Sequence, residues 1–384
     1  MSVTAAKGFT AAGVTAGLKQ SGAPDLAVVA AERTVPAAAV FTTNKVQAAP
    51  VRQSRAAVAD GRLRAVVLNS GGANACTGPR GAADAAAMAA VTAAELRCDA
   101  HDVAVASTGL IGVHLPMDRV LPGIEAAVRA LHTDGGAHAA EAIRTTDTVA
   151  KQAAHTTDGF TVGGMAKGAG MLAPALATML CVLTTDADVP ADVLDTALRQ
   201  ATSRTFDRLD TDGCMSTNDA VYLLASGASG VTPDAETFTQ AVTTVCQDLA
   251  TRLVDDAEGA TKRIAVTVDG AATEADALDA ARAIARSSLL KCAIHGEDPN
   301  WGRVLAAVGT SSADFDPDKV GVRINGVEVC RYGTVYGDLD AARAALRTRE
   351  VAIDVTLAAG DAAATVLTTD LTAAYVHENS AYST

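Results

Sequence analysis

The stretch Ala235 to Val254 shows most clearly how the chain alternates apolar and polar positions. Phe238, Val242, Val245, Leu249 and Leu253 return every three or four residues, which gathers them on one face of a helix. Asp234, just before the run, is a candidate N-cap. Similar spacing predicts helices over Ala82 to Arg97, Met117 to Leu131, Ala191 to Ala201 and Ala275 to Leu290. Short β-branched runs with turn residues nearby predict strands. They are Leu26 to Ala31, Ala37 to Thr42, Arg64 to Asn69, Val103 to Ser107, Thr178 to Thr184, Ala220 to Ala225, Arg263 to Val268, Val320 to Ile324, Val351 to Leu357 and Ala364 to Thr368. Strands and helices interleave, yet several strands follow each other directly. The pattern therefore predicts α/β or α+β layers and does not choose between them. No repeat, low-complexity linker or Pro/Gly/Ser hinge divides the chain.

Composition narrows the partners. At 384 residues and 49% hydrophobic content, the chain can build one large core or two ordinary ones. Aromatics are only 3%, so Ala, Val, Leu and Ile must fill those cores. A net charge of −13 repels phosphate backbones and anionic lipid surfaces. Neither nucleic acid nor a membrane is expected as a partner. Seven cysteines, an odd number without a CxxC pair, argue against a disulfide framework or a zinc site. Most are expected to be small buried hydrophobes. Met1 to Leu18 lacks the basic patch and long apolar stretch of a signal peptide, and the most apolar run, Leu172 to Leu183, is too short for a bilayer. A soluble cytoplasmic protein is the expectation.

Candidate chemistry concentrates in Gly163 to Leu183, GGMAKGAGMLAPALATMLCVL. A glycine-rich loop carrying Lys167 leads through Pro174 into an apolar strand whose first polar residue is Thr178. A hydroxyl at the edge of a rigid strand is well placed for nucleophilic attack. Threonine is a weak nucleophile, but backbone cleavage before it frees an α-amine that serves as built-in base. The reference pKa of such an amine is about 8. By residue type alone, Thr178 reads as an ordinary β-branched strand residue. A phosphate-loop reading of Gly163 to Gly170 fails on spacing and lacks the Lys-Ser/Thr end.

The segment GGMAKGAGMLAPALATMLCVLTTDA resembles the self-processing region of the bacterial ornithine acetyltransferase family. Further matching blocks are NSGGANACTG from Asn69, STGLIG from Ser107, TTDT from Thr145, DGCMSTND from Asp212, DDAEGATK from Asp255, GEDPNWGR from Gly296 and the terminal HENSAYST. They occur in family order and cover essentially the whole chain. The resemblance implies a two-domain layered sandwich of mixed sheets and helices. It also implies self-cleavage between Ala177 and Thr178, giving an alpha chain of residues 1–177 and a beta chain of residues 178–384. The two chains are expected to stay associated and to assemble as a heterotetramer of two of each.

By the same resemblance, Thr178 takes the acetyl group from N-acetylornithine, ornithine leaves, and glutamate collects the acetyl group in a ping-pong reaction. Thr108 and Gly109 stabilise the oxyanion, through a hydroxyl and a backbone N–H. Substrate contacts fall on Thr145, Lys167, Thr178, Glu258, Asn379 and Thr384, with Thr146 as the alternative to Thr145. Lys167 suits a substrate carboxylate and Glu258 an ammonium group. Some family members also accept acetyl-CoA, and no residue here decides that point. The chemistry calls for no cofactor and no metal.

Several attractive clusters read otherwise. Asp207, Asp210, Asp212 and Asp219 miss the calcium-loop spacing and are expected to be loop and turn residues. Cys214 and Met215 stand where Asp-Thr is usual in the family, which puts the local turn in doubt. His295, Asp298 and Trp301 are expected to start a helix through Asp298 and Pro299. His377 and Glu378 are read as surface residues. The rival function is an N-terminal-nucleophile amidohydrolase or aminopeptidase, which would share the chemistry up to the acyl-enzyme and resolve it with water. A non-catalytic scaffold is disfavoured by the residue types at Thr178, Thr108, Gly109, Lys167 and Glu258.

Overall fold

A computed structural model describes residues 2–172 and 179–381. These divide into two compact units: Met1–Asp207 with Cys214–Asp256, and Arg208–Gly213 with Ala257–Ser383. The fold is mixed α/β, with one sheet in each unit and helices packed on both sheets.

In the first unit the strands are β1 (Phe9–Val14), β2 (Leu26–Phe41), β3 (Arg62–Ser70), β4 (Val103–Thr108), β5 (Lys151–Thr157), β6 (Phe160–Lys167), β7 (Leu180–Thr185) and β8 (Ala220–Ala225). The helices are α1 (Ala49–Ala57), α2 (Gly78–Leu96), α3 (Met117–Arg129), α4 (Gly136–Ala142), α5 (Ala191–Arg204) and α6 (Ala235–Asp255). The sheet runs β4-β3-β2-β8-β7-β6-β5, with β1 added on β2. β3 and β4 are parallel, as are β7 and β8, whereas β2 pairs antiparallel with both β3 and β8.

Side-chain alternation along β2 builds cores on both faces. Leu26, Val28 and Ala30 join Met88 and Ala89 of α2 and Val120 and Ile124 of α3. Ala27, Val29 and Ala31 join Val51 of α1, Ala139 and Ala140 of α4, and Tyr222 of β8. The predicted strands Leu26 to Ala31 and Ala37 to Thr42 prove to be one 16-residue strand, whose register to β3 shifts between Ala30 and Val35.

α6 buries the expected stripe of Phe238, Val242, Val245, Leu249 and Leu253, each worth about 1.5–3 kcal/mol on full burial. Asp234 caps it, accepting the Thr237 N–H at 2.9 Å. The β5–β6 hairpin went unpredicted because Gly163 and Gly164 suggested a loop. Both lie inside β6, and glycine is required there by close packing. A Cβ on Gly163 would stand 2.4 Å from the Ser2 carbonyl oxygen, and one on Gly164 2.7 Å from Leu183 Cδ2.

The second unit holds β9 (Arg263–Ala271), α7 (Glu274–Ala285), α8 (Ser288–His295), α9 (Trp301–Val308), β10 (Gly321–Ile324), β11 (Val327–Arg331), β12 (Thr334–Val335), α10 (Leu339–Ala345), β13 (Glu350–Thr356), β14 (Ala362–Thr369) and α11 (Ala373–Ala381). Its sheet order is β12-β11-β10-β13-β9-β14, with β9 and β13 parallel. Ile264, Val266 and Val268 meet Ala277, Ala281 and Ile284 of α7 and Val304 and Val308 of α9 in its core.

The single helix predicted over Ala275 to Leu290 is instead two. The Ser287 hydroxyl accepts the Leu290 N–H at 3.3 Å and caps a new helix. α9 starts two residues later than the Asp298–Pro299 reading implied. Asn300 is its cap, accepting the Arg303 N–H at 3.1 Å, while Asp298 accepts from the Asn300 amide. His295 pairs with Asp370 rather than Asp298. Of the seven cysteines, Cys181, Cys246 and Cys330 are buried as expected, whereas Cys76, Cys214 and Cys292 are exposed. Among the described residues, no helix is long and apolar enough to cross a membrane.

Candidate active site

The end of β4 is held by a polar clasp. Ser107 Oγ donates to Asn69 Oδ1 at 2.6 Å, and the Asn69 amide donates to the Gly72 carbonyl. The Gly71 and Gly72 N–H groups both donate to the Thr108 carbonyl, at 2.9 and 3.0 Å. Asn218, from the DGCMSTND block, donates to the carbonyls of Ala73 and Ser107. Three blocks distant in sequence thus fix one strand end, and preorganised donors depend on such fixing.

Gly109 follows with φ +125°, a conformation that side chains rarely adopt. A Cβ there would also lie 2.6 Å from the Gly72 nitrogen. The site therefore demands glycine twice, by dihedral angle and by space. Thr108 itself is almost completely buried, and Lys167 Nζ lies 3.4 Å from its Oγ1 as a donor. With the lysine donating, the Thr108 hydroxyl keeps its own hydrogen for another acceptor.

Lys167 ends β6 and is 1% exposed, so it stands at the end of a strand in the core and not in the glycine-rich loop expected from sequence. Asp147 organises its surroundings. Asp147 Oδ1 accepts from Lys151 Nζ at 2.6 Å and from the Gly168 N–H at 2.7 Å. Oδ2 accepts the Thr145 N–H at 3.0 Å and stands 4.0 Å from Lys167 Nζ. Lys151, also buried, shares its ammonium with Asp256 at 2.6 Å. Asp147 thereby joins Thr145 to Lys167. Among the described residues, no hydrogen bond gives Thr146 such a link, and both threonines are half-buried.

Burial alone would raise the Asp147 carboxyl. The ammonium groups of Lys167 and Lys151, with hydrogen bonds from Lys151 and the Gly168 N–H, overcome that and hold it well below the usual carboxylate range. A carboxyl depressed in the folded state stabilises the fold above its unfolded pKa of about 4 and loses that contribution as pH falls through the folded value. Asp147→Asn should therefore lower the urea midpoint at neutral pH and flatten its fall below about pH 4. Asp147→Ala, which leaves buried lysines short of a partner, should cost about 3 kcal/mol or more. Urea titrations at several pH values measure both.

In the second unit, Asn379 on α11 donates to Glu258 Oε2 at 3.0 Å and to the Tyr375 carbonyl. Thr372 ties the start of that helix to the Gly259 carbonyl at 2.7 Å. Gly259 has no room for a side chain, since a Cβ would lie 2.3 Å from the Tyr375 nitrogen. Thr372 to Asn379 are thus docked on Glu258 and Gly259. His377 and Glu378 are exposed. Ala177, Thr178 and Thr384 lie outside the described residues.

Asp210, Asp212 and Asp219 lie outside helices and strands, as expected of loop residues, but two of them are buried. Asp210 is fully buried, with Arg286 Nε at 2.6 Å. Asp219 is fully buried beside the Met179 N–H, at 2.9 Å. From sequence, Asp210 and Asp219 were considered only as part of a rejected calcium loop, and Asp147, Lys151 and Asp256 were not singled out. The one available signal was that Asp147 and Asp219 sit inside the quoted TTDT and DGCMSTND blocks. Among the described residues, no group of three or more His, Cys, Asp or Glu could hold a metal ion.

Comparison with known proteins matches residues 10–384 to the ArgJ family. The arginine biosynthesis bifunctional protein ArgJ of Streptomyces coelicolor is 62% identical, with all of both chains covered. The protein of the same name from Thermobifida fusca is 61% identical, again over all of both chains. A crystal structure of the arginine biosynthesis bifunctional protein from Bacillus halodurans is 36% identical, covers 52% of this chain and 97% of its own, and superposes with a TM-score of 0.50. By the extent of these matches, the chain belongs to the ArgJ family.

Proposed function

We propose that this protein is an acyltransferase of arginine biosynthesis that moves an acetyl group from N-acetylornithine to the amino group of glutamate. The observation that carries the reading is the convergence of Thr108, Gly109, Lys167 and the Asp147-anchored Thr145 in one unit, in a chain that matches curated ArgJ proteins over its whole length. In this reading Thr178 is the nucleophile, freed by a cut after Ala177. Thr108 and Gly109 donate to the tetrahedral oxyanion of each half-reaction. Thr145, Lys167, Glu258, Asn379 and Thr384 hold substrate, with Lys167 on a carboxylate and Glu258 on an ammonium group.

The Bacillus halodurans chain is about half as long as this one, the length expected of one fragment of a chain cut near its middle. β7 pairs with β6 on one side and β8 on the other, which favours residues 1–177 and 178–384 staying together as alpha and beta chains. Two of each would form the heterotetramer. Acetyl-CoA as a second donor, giving N-acetylglutamate directly, belongs to the same acyl-threonine chemistry. A cytoplasmic location follows from that biosynthetic role.

Incubation with N-acetylornithine, with and without glutamate, tests the reading. N-acetylglutamate should form only when glutamate is present, together with free ornithine. Release of acetate in its place would support the amidohydrolase reading and reject transfer. Acetyl-CoA as sole donor tests the second route.

A further inference from the structure

Two buried ammonium groups bear on Asp147, and the transfer chemistry has a use for only one of them. Lys167 and Lys151 are each 1% exposed. Lys167 ends β6, and Lys151 opens β5 opposite Ala166, the residue before Lys167. Burying a second ammonium group is costly unless its charge is met. Here it is met twice, by Asp147 Oδ1 and by Asp256 Oδ2, each at 2.6 Å. Asp256, which follows α6, is itself fixed. It accepts the Thr148 N–H at 3.0 Å, the Val149 N–H at 3.4 Å and the Thr148 hydroxyl. Lys151 is thereby held in place beside Asp147.

Distance ranks the two lysines. Lys151 touches Asp147 Oδ1, whereas Lys167 Nζ stands 4.0 Å from Oδ2, beyond hydrogen-bond reach. Oδ1 also accepts the Gly168 N–H, and Oδ2 the Thr145 N–H. Both ammonium groups hold the Asp147 carboxyl low, Lys167 by charge alone and Lys151 by charge and a hydrogen bond. Asp147 therefore attracts Lys167 without contact, and the same negative charge repels a carboxylate approaching Lys167. At such depth water screens little of either force.

We propose that Lys151 is a positioning residue for substrate binding. Its ammonium takes up the charge of Asp147, so that Lys167 meets the substrate carboxylate and is not drawn into an ion pair with Asp147. The inference rests on the reading of Lys167 as the carboxylate contact. N-acetylornithine and glutamate each carry an α-carboxylate, so Lys151 acts in both half-reactions. Without its charge, Asp147 and the substrate compete for one ammonium group. Bond making is untouched, and the loss falls on KM.

The competing role is purely structural, with Lys151 serving only to keep two carboxylates buried. Lys151→Met removes the charge, and adding Asp147→Asn removes the rival for Lys167 as well. Wild type, K151M, D147N/K151M and K167M are compared by their rates of N-acetylglutamate formation as each substrate is varied, and by their melting temperatures. K151M should raise both KM values about tenfold or more, and kcat should change by less than about threefold. D147N/K151M should bring KM most of the way back to the wild-type value. A structural role predicts the reverse pattern: lower Tm and kcat, KM unchanged, and a double variant worse than K151M.

K151M with a wild-type KM, or a double variant that recovers nothing, overturns the proposal. K167M with a wild-type KM overturns the reading on which it rests. Should K151M fail to fold, K151Q takes its place with the same expectations, because its amide still donates hydrogen bonds to the carboxylates but carries no charge.

Discussion

A Thr178→Ala chain should leave purification as one uncut species and transfer acetyl groups about 10⁴-fold or more slowly than wild type. Both losses have one origin in the proposed chemistry, because the same hydroxyl attacks the backbone carbonyl during processing and the acetyl carbonyl during turnover. Thr178→Ser keeps an attacking hydroxyl and a neighbouring α-amine, so it should still process and turn over. Intact mass together with the rate of N-acetylglutamate formation reads out both variants. A Thr178→Ala chain that breaks at the same junction and works normally would remove the nucleophile from this account.

Thr108→Ala should lower kcat by about 10² to 10³ and leave KM close to its wild-type value. Lys167 donates to Thr108 Oγ1, which leaves the hydroxyl hydrogen for an oxygen that gains charge only in the transition state. The backbone at this point does not rely on the side chain. Thr108 is gripped through its carbonyl by Gly71 and Gly72, and Ser107 beside it by Asn69 and Asn218. The variant should therefore fold, and Thr108→Ser should recover most of the rate. A variant that changes KM alone would make Thr108 a substrate contact and not an oxyanion donor.

What could be read from sequence depended on whether a signal was local. β8 was predicted with its observed bounds, because Val221, Tyr222, Leu223 and Leu224 form an unbroken apolar run that ends at Ser226 and Gly227. The β5–β6 hairpin was invisible, since its glycines answer to Ser2 and Leu183 and not to their sequence neighbours. Continuous apolar spacing across Arg286 and Ser287 concealed the break between α7 and α8, which a single hydroxyl cap creates.

The candidate site divides in the same way. Thr108, Gly109 and Lys167 stand in motifs that name them. Asp147 acquires meaning only from Lys151, Gly168 and Lys167, and Asp219 only from Met179. A buried charge is defined by its partners, and most of these partners are distant in the chain. The exposed Cys76, Cys214 and Cys292 teach a related lesson, because composition speaks to the redox setting and not to the address of each thiol.

The strand order β2-β8-β7-β6 carries a consequence for the life of the enzyme after processing. If the chain is cut before β7, two strands of the later piece remain wedged between strands of the earlier one, and pulling the pieces apart means dismantling the sheet. The uncut chain can thread this arrangement as one molecule. Two separate pieces would have to find each other and interleave while unfolded. Heat or denaturant would then inactivate the mature enzyme without return, and its durability would be governed by how fast the sheet opens rather than by a folding equilibrium.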